Sequence, residues 1–285
     1  MRLCVLTSHN PRHYFVANSL AKLADETLVV SSAMGLNPAK AGHHGRQTED
    51  LLQYFEDRFL TEEKFFKDRI FRVHHGGVIV VGPHEINSNY VEQNVRSFQP
   101  DVIVVFGTNI LKSGLLSITD KILNIHLGVS PYYNGSSTNF WPMYNGEFEF
   151  VGVTVHFIDK GVDTGPIIGH TRAIINSEDT PHTIGNKTII AGVKLINDIL
   201  PVLARHHVAP VKQWVSEERP IYRMKDFDDK VLDKFISNLK TGMIGRWVKS
   251  GNRRNFDLVD FNFGKPKVVP SHQLEPVLIP ARYEI

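Results

Sequence analysis

Two polar residues that could take part in acyl transfer end an apolar run near the middle of the sequence. Asn124 and His126 close the segment KILNIHL, and a loop with proline and glycine, GVSPYYNG, follows it. Residues two apart on an extended strand point to the same side, so the carboxamide and the imidazole are expected to face one crevice. A carboxamide can stabilise a developing oxyanion, and an imidazole can accept or deliver a proton near neutral pH.

An acid that could orient this imidazole comes later, in the segment DKGVDTGPII. Asp163 lies there between Gly161 and Gly165, and flanking glycines let a loop fold tightly against a ligand or a strand. A histidine at a strand end is often only a hydrogen-bonded structural residue, and an aspartate between glycines often only forms a turn. The two features together favour a catalytic group, and the structural interpretation stays open at this point.

Alternating strands and helices are predicted to position these residues. Buried strands are predicted at RLCVLT, ETLVVSS, DVIVVFG, KILNIHL, VGVTVHFID and PIIGHTRAII, and helices at 11–24, 48–69, 89–100 and 183–206. This alternation predicts an α/β fold with a doubly wound, mostly parallel sheet over residues 1–205. Residues 206–285 change in character and are predicted to form a small C-terminal α+β extension.

Composition and simple motifs exclude several classes of function. A formal charge of +2 and 42% hydrophobic residues give no general argument for nucleic-acid binding and allow a sizeable core. The turn TSHNPRH after the first strand lacks Gly-x-Gly-x-x-Gly, which argues against a dinucleotide-binding dehydrogenase. Adjacent histidines, as in His43/His44 and His74/His75, are poor chelates, so no metal is expected. One cysteine and the lack of a membrane-length apolar run predict a cytoplasmic protein without a membrane partner.

Two separated segments, LNIHLGVSPYYNG and VGVTVHFIDKGVDTGPII, closely resemble the 10-formyltetrahydrofolate-dependent formyltransferase family. That family includes the glycinamide ribonucleotide, methionyl-tRNA and nucleotide-sugar N-formyltransferases. Its pattern is Asn-x-His at a strand end, a Ser/Pro-Tyr-x-Gly loop, Gly-Val-Thr-x-His and an Asp-Thr-Gly loop. The resemblance covers about residues 1–205 and implies a Rossmann-like formyltransferase domain with the catalytic residues Asn124, His126 and Asp163.

The resemblance also implies where the formyl donor, 10-formyltetrahydrofolate, is bound. The segment FGTNILKSGLL would offer backbone groups and apolar walls, and the loop before Asp163 would close the other side. The expected donor-binding residues are Thr108, Asn109, Ile110, Leu111, Lys160, Gly161 and Val162. For the side chains of Ile110 and Leu111, a place in the core fits the sequence equally well.

The acceptor is expected to be the amine of a small molecule. The turn SHNPRH replaces the phosphate loop of the purine-pathway members, although Arg12 and His13 could meet a phosphate by side chain. The basic cluster KSGNRRNF is more typical of a solvated surface than of a nucleic-acid site, and an amino sugar on a nucleotide carrier is favoured. The expected substrate-binding residues are Ser8, Asn10, Arg12, His13, Tyr132, Tyr133 and Asn134, with residues 33–47 and 72–90 as further candidate loops.

Several alternatives stay open on the sequence. Water could replace the amine, which would make the protein a formyl-folate hydrolase, and glycinamide ribonucleotide or methionyl-tRNA could be the acceptor. A non-catalytic folate-binding module and transfer of another one-carbon group are further alternatives. A homodimer is also open, because Val231, Phe235 and Leu239 could pack against a partner or against the chain's own core. An ionised Asp163 beside His126 is expected to raise the pKa of the imidazole.

Overall fold

Short runs rich in valine, isoleucine and leucine form the strands of a seven-stranded sheet. The computed structural model describes residues 1–33, 49–214 and 221–279. The strands are β1 (Arg2–Thr7), β2 (Glu26–Ser32), β3 (Gly76–Val81), β4 (Val102–Val105), β5 (Ile122–His126), β6 (Val153–Phe157) and β7 (Ile167–Thr171). Their order is β3-β2-β1-β4-β5-β6-β7, with parallel pairing from β3 to β5 and antiparallel pairing of β6 with β5 and β7. The predicted α/β, mostly parallel sheet is confirmed.

Helices cover both faces of this sheet. They are α1 (Pro11–Ala21), α2 (Glu49–Phe65), α3 (Asn89–Phe98), α4 (Ser113–Leu116), α5 (Trp141–Tyr144), α6 (Pro181–Arg205), α7 (Asp229–Lys240) and α8 (Met243–Ser250). Phe15 of α1 and Ile196 of α6 belong to one core cluster, and Val91 and Val95 of α3 belong to a second. Two cores on opposite faces are what a doubly wound sheet requires. No helix in the described ranges is long and apolar enough to cross a lipid bilayer.

The structure corrects the interpretation of residues 72–90 as a loop. They contain β3, which lies at the edge of the sheet and exposes Val78 and Val80 on one side. The sequence does not predict β3 because this strand begins with two glycines, which are uncommon within strands. As an exposed edge strand, β3 is not buried along its whole length, and it also lacks the apolar–polar alternation of a half-buried strand. Of the other predicted acceptor loop, residues 34–47 lie outside the described residues, as does the His43/His44 pair.

The C-terminal residues pack against the loop that follows β5. Phe235 of α7 is buried, and its ring centroid lies 4.9 Å from that of Phe140. Leu258, from the hairpin of β8 (Asp257–Asp260) and β9 (Lys267–Pro270), belongs to the same core cluster as Tyr133. Of the two alternatives for α7, the structure therefore shows packing against the chain's own core.

A buried histidine ties this hairpin to the central sheet. His170 of β7 lies with Nε2 2.9 Å from the carbonyl oxygen of Ser130, which can only accept, so Nε2 carries the proton. Its Nδ1 accepts the Val259 N–H at 2.7 Å, so the neutral ring satisfies both neighbours. Burial lowers the pKa of His170 to about 3, because an imidazolium there would be desolvated.

The free energy of unfolding is therefore expected to fall as the pH is lowered from about 7.5 to about 5.5. Over this interval the unfolded chain takes up a proton at residue 170 and the folded chain does not, which costs about 1.4 kcal/mol. In His170→Gln this part of the pH dependence should disappear, whatever the overall stability of the variant. Urea unfolding at both pH values measures it, with the exposed His207→Gln as the matched control. Equal pH dependence in wild type and His170→Gln would contradict the assignment.

Candidate active site

The antiparallel pair β5–β6 brings four polar side chains to one face of the sheet. Asn124 lies opposite His156 in the register, and His126 lies opposite Thr154. Directly opposed residues share a face, so all four point to the same side. The Thr154 hydroxyl donates to the Gly128 carbonyl at 2.6 Å and accepts the Ser130 N–H at 2.8 Å, which fixes the start of the loop after β5.

The turn that follows β6 returns Asp163 to this group. One carboxylate oxygen accepts a hydrogen bond from Asn124 Nδ2 at 3.1 Å, and the other accepts from the Gly135 N–H at 2.9 Å. The same carboxylate lies 3.4 Å from His126 Nδ1 and 3.6 Å from His156 Nε2. The structure thus brings together the three residues that the sequence selects for catalysis, although they lie up to 39 positions apart.

The protonation of His126 follows from its hydrogen bonds. Nε2 lies 2.8 Å from the Tyr133 carbonyl oxygen, an obligate acceptor, so Nε2 carries the proton of the neutral ring. Nδ1 is then a lone-pair acceptor on the side of Asp163. Burial lowers the pKa of His126 and outweighs the opposite effect of the Asp163 charge. This corrects the expectation of a raised pKa, and the His126 ring is neutral near pH 7.

The charge of Asp163 is well stabilised. Burial alone would raise the pKa of this carboxyl, but the neighbouring His126 and His156 and the Gly135 N–H outweigh burial and hold its pKa well below the ordinary value. The carboxylate therefore stays ionised throughout the neutral range. A proton taken up by His126 at Nδ1 would face this charge directly.

A second imidazole, not selected from the sequence, completes the cluster. His156 Nδ1 donates to the Phe157 carbonyl at 2.7 Å, so its Nε2 accepts from Asn124 Nδ2 at 3.3 Å. Both N–H groups of Asn124 are thus engaged, one by His156 and one by Asp163. The alternation of Thr154 and His156 in VGVTVHFID is the sequence signal that indicates a polar side of this strand.

The loop after β4 carries four of the predicted donor-binding residues. Val105 pairs with Asn124, so this loop starts beside the cluster. The side chain of Asn87 donates to the Ile110 carbonyl at 3.0 Å and accepts the Lys112 N–H at 2.7 Å, which fixes the backbone of the loop. Ile110 is 75% exposed, whereas Leu111 is 8% exposed. Of the two interpretations, Leu111 is a core side chain and Ile110 presents an apolar surface to solvent.

The remaining predicted donor-binding residues lie on the surface of two loops. The hydroxyl of Thr108 donates to the Asn109 carbonyl at 3.0 Å, and the Asn109 amide lies 3.0 Å from His84 Nδ1. On the turn before Asp163, three consecutive residues are exposed: Lys160, Gly161 and Val162. These positions leave both loops accessible to a ligand.

Arg12, at the start of α1, does not present the free cation for a phosphate that the sequence predicts. Arg12 Nη1 lies 2.7 and 2.8 Å from the two carboxylate oxygens of Glu62, and both side chains are largely buried. The cation is therefore engaged by a carboxylate where a phosphate was expected. Ser8 is also buried, and its hydroxyl donates to the Ser32 carbonyl at 3.0 Å.

The backbone of half-buried Asn10 contacts the side chain of His13. The Asn10 N–H donates to His13 Nδ1 at 3.0 Å, at the start of α1. The ring of His13 is buried against Phe106, with centroids 5.3 Å apart. Burial holds the pKa of His13 well below its ordinary value, so this ring is neutral.

The three predicted acceptor residues of the loop after β5 differ in their surroundings. The side chain of Tyr133 is fully buried and lies next to Tyr222, so Tyr133 meets the cluster through its carbonyl. The Tyr132 hydroxyl accepts the Asp257 N–H at 3.0 Å. The side-chain oxygen of Asn134 is buried and has no hydrogen-bond partner among the described residues. The side-chain oxygen of Asn134, next to Gly135 in the chain, can therefore accept a hydrogen bond from a ligand.

The described residues contain no group of three or more His, Cys, Asp or Glu side chains placed to hold a metal ion. The cluster itself offers a carboxamide, two imidazoles and a carboxylate. A carboxamide donor and a neutral imidazole acceptor beside a fixed negative charge suit attack of a nucleophile on a carbonyl carbon.

Comparisons with known proteins agree with this chemistry. A family model described as formyl transferase matches residues 1–200. The methionyl-tRNA formyltransferase of Desulforamulus reducens is 36% identical over 126 residues, which are 44% of this chain and 39% of that relative. The chain thus matches well under two thirds of that relative's length.

Two solved structures share the fold. A sugar N-formyltransferase from a Shewanella species has a TM-score of 0.53 and 18% identity, over 80% of this chain and 78% of that one. An N-formyltransferase from Helicobacter canadensis in complex with folinic acid and dTDP-3-aminofucose has a TM-score of 0.50 and 19% identity, over 80% and 71%. At these identities the likeness concerns the fold.

Proposed function

The chain belongs to the formyl transferase family, and from this membership we propose that it moves a formyl group from 10-formyltetrahydrofolate to the primary amine of a small molecule. An amino sugar carried on a nucleotide is the favoured acceptor. The observation that carries the proposal is the contact of Asp163 with Asn124 at 3.1 Å and with His126 at 3.4 Å, beside the loop of Ile110.

The residues of the cluster have complementary roles in this transfer. The acceptor nitrogen forms a bond to the formyl carbon, and the bond from that carbon to the folate nitrogen breaks. One N–H of the Asn124 carboxamide leaves its contact with His156 and donates to the formyl oxygen as negative charge develops there. Neutral His126 takes the proton of the amine on Nδ1, and Asp163 stabilises the imidazolium. His126 then returns the proton toward the folate nitrogen.

The residues around the cluster fit a folate. When bound, 10-formyltetrahydrofolate supplies the formyl group. Ile110 offers an exposed apolar side chain on a backbone that Asn87 fixes from both sides. A rigid backbone with one apolar wall suits a flat heterocycle, because little conformational freedom is lost on binding. The folinic acid in the Helicobacter canadensis relative supports the same class of donor.

The acceptor class is proposed on two grounds. The dTDP-3-aminofucose in that relative supports a nucleotide-linked amino sugar. In addition, the basic cluster near the C-terminus is engaged within the chain. Arg254 makes ion pairs of 2.7 and 2.8 Å with Glu147 and Glu149, and Arg253 lies over the ring of Trp247 at 3.3 Å from its centroid. The charge of Arg254 is thus already balanced by two carboxylates, which leaves less of it for the phosphates of a polyanion.

Methionyl-tRNA is the second candidate acceptor, because the Desulforamulus reducens relative carries that name at 36% identity. A formyl-transfer assay with 10-formyltetrahydrofolate separates the candidates. The panel contains nucleotide-linked amino sugars, glycinamide ribonucleotide and charged methionyl-tRNA, and mass spectrometry detects the formylated product. We expect amine-dependent transfer, with the highest kcat/KM for a nucleotide-linked amino sugar.

Each other outcome has a distinct meaning. Preferred formylation of methionyl-tRNA or glycinamide ribonucleotide would replace the proposed acceptor and keep the transferase. Formate release at the same rate with and without amines would replace the transferase with a hydrolase. Folate binding with neither reaction would overturn the enzymatic proposal.

A further inference from the structure

Within the turn that carries Asp163, the Asp159 carboxylate accepts hydrogen bonds from the Gly161 N–H at 3.0 Å and the Thr164 hydroxyl at 2.8 Å, and these bonds do not involve the Asp163 backbone. No helix or strand runs through residues 158–166, and most of these side chains are exposed. Asp163 has a φ of +53°, in the left-handed region that residues with a Cβ atom adopt uncommonly and aspartate adopts more readily than most. A loop in this state keeps its geometry only where neighbouring groups enforce it.

Gln213, from the C-terminal extension, holds the backbone of this turn. Its Nε2 donates to the Asp163 carbonyl at 2.7 Å and to the Gly165 carbonyl at 2.8 Å. The two bonds use both amide hydrogens and fix the chain on each side of Thr164. They span 50 and 48 positions of sequence, so the contact is tertiary.

The position of Gln213 is itself fixed by the sheet. Val211 and Ile167 exchange two backbone hydrogen bonds of 2.8 and 2.7 Å, which place the segment alongside the start of β7. Gln213 follows Val211 by two residues. Its backbone is therefore held next to β7, the strand into which the turn of Asp163 leads.

The same extension also holds the group that binds the Asp163 carboxylate. The Tyr222 N–H donates to the Asn134 carbonyl at 3.0 Å, and the Tyr222 carbonyl accepts the Ser136 N–H at 2.8 Å. Gly135, between them, donates its N–H to Asp163. The ring of Tyr222 stacks on Trp141 with centroids 4.5 Å apart.

We propose that Gln213 is a positioning residue for Asp163, so that the C-terminal extension sets the distance between the carboxylate and His126. The proposal rests on the proposed function, because only formyl transfer gives this distance a kinetic meaning. With Gln213 the turn keeps its left-handed backbone and the carboxylate stays beside Nδ1. Without its two donors, the turn relaxes and the carboxylate moves away.

The test compares Gln213→Met, which keeps the length of the side chain and loses both donors, with Lys212→Met at the exposed neighbouring position. We expect kcat for Gln213→Met to fall roughly 10- to 100-fold, since displacement of a catalytic group by about 1 Å can cost this much. KM for the formyl donor should change less than kcat does, because the donor's proposed contacts in the loop of Ile110 do not involve Gln213. Lys212→Met should match wild type, and both variants should unfold at similar temperatures.

A second readout needs no substrate. The pKa of His126, followed by nuclear magnetic resonance, should be lower in Gln213→Met than in Lys212→Met, because the Asp163 charge that raises it has moved away. If wild type transfers no formyl group, the proposed function fails, and this titration still decides the positioning. Should Gln213→Met not fold, Gln213→Leu removes the same donors without adding a charge and is tested in the same way. An unchanged kcat, or an unchanged pKa of His126 in a folded variant, would overturn the proposal.

Discussion

Replacement of Asp163 with asparagine is expected to lower kcat for formyl transfer by roughly 100- to 1000-fold. Asparagine keeps the size of the side chain and can still accept the Gly135 N–H, which is bound at 2.9 Å in the wild type. It cannot balance the charge that forms when His126 takes the proton of the amine, because its amide is neutral. The loss therefore falls on the transition state, and KM for the donor should change little.

Single-turnover measurements on Asp163→Asn and on wild type give the loss in the rate of formyl transfer directly. The matched control is Asp120→Asn, which makes the same chemical change at an exposed turn before β5. The control should keep the wild-type rate. A rate for Asp163→Asn within about tenfold of wild type, with the protein folded, would remove the carboxylate from the mechanism.

Replacement of His126 with glutamine is expected to lower kcat by roughly 100- to 10,000-fold. The glutamine amide can keep the hydrogen bond to the Tyr133 carbonyl, which lies 2.8 Å from Nε2 in the wild type. It offers no base in place of Nδ1. The wild-type rate should fall as the pH drops through the lowered pKa of His126, because only the neutral ring accepts a proton. In His126→Gln this acid limb should disappear.

The pH profile of kcat distinguishes His126 from its neighbour. His156 lies 3.6 Å from Asp163 and is the other imidazole within reach. If the acid limb persists in His126→Gln, then His156 or another group is the base. The exposed His207→Gln serves as the control and should keep both the rate and the profile.

The location of the cluster could be predicted from local patterns, but its electrostatics could not. The spacing of Asn124 and His126 fixes their common face, because side chains alternate along a strand. The pKa of His126 depends on burial, which arises where the loop after β5 and the turn of Asp163 close over the ring, at the Tyr133 carbonyl and the Asp163 carboxylate. The motif shows that Asp163 could raise the pKa of His126, but it does not show that burial lowers this pKa by more.

Contacts between residues far apart in the chain could not be predicted from the sequence either. Arg12 reads as a cation at a ligand-binding turn, and its pairing with Glu62 spans 50 positions and three elements. Gln213 contacts backbone carbonyls, which every residue has, so no sequence pattern marks its partners. The turn between Gly161 and Gly165 makes Asp163 a candidate acid, but its catalytic role is implied by the resemblance of the Asp-Thr-Gly loop, since an aspartate between glycines is common in turns.

A crystal structure with a stable analogue of 10-formyltetrahydrofolate bound, one that carries the formyl group on the same nitrogen, tests the central claim most directly. The formyl group should lie over β5, with its oxygen within hydrogen-bond distance of Asn124 Nδ2 and its carbon about 3–4 Å from the site that His126 Nδ1 and Asp163 enclose. The heterocycle should rest against Ile110. A folate bound with its formyl group outside the cluster of Asn124, His126 and Asp163 would contradict the account.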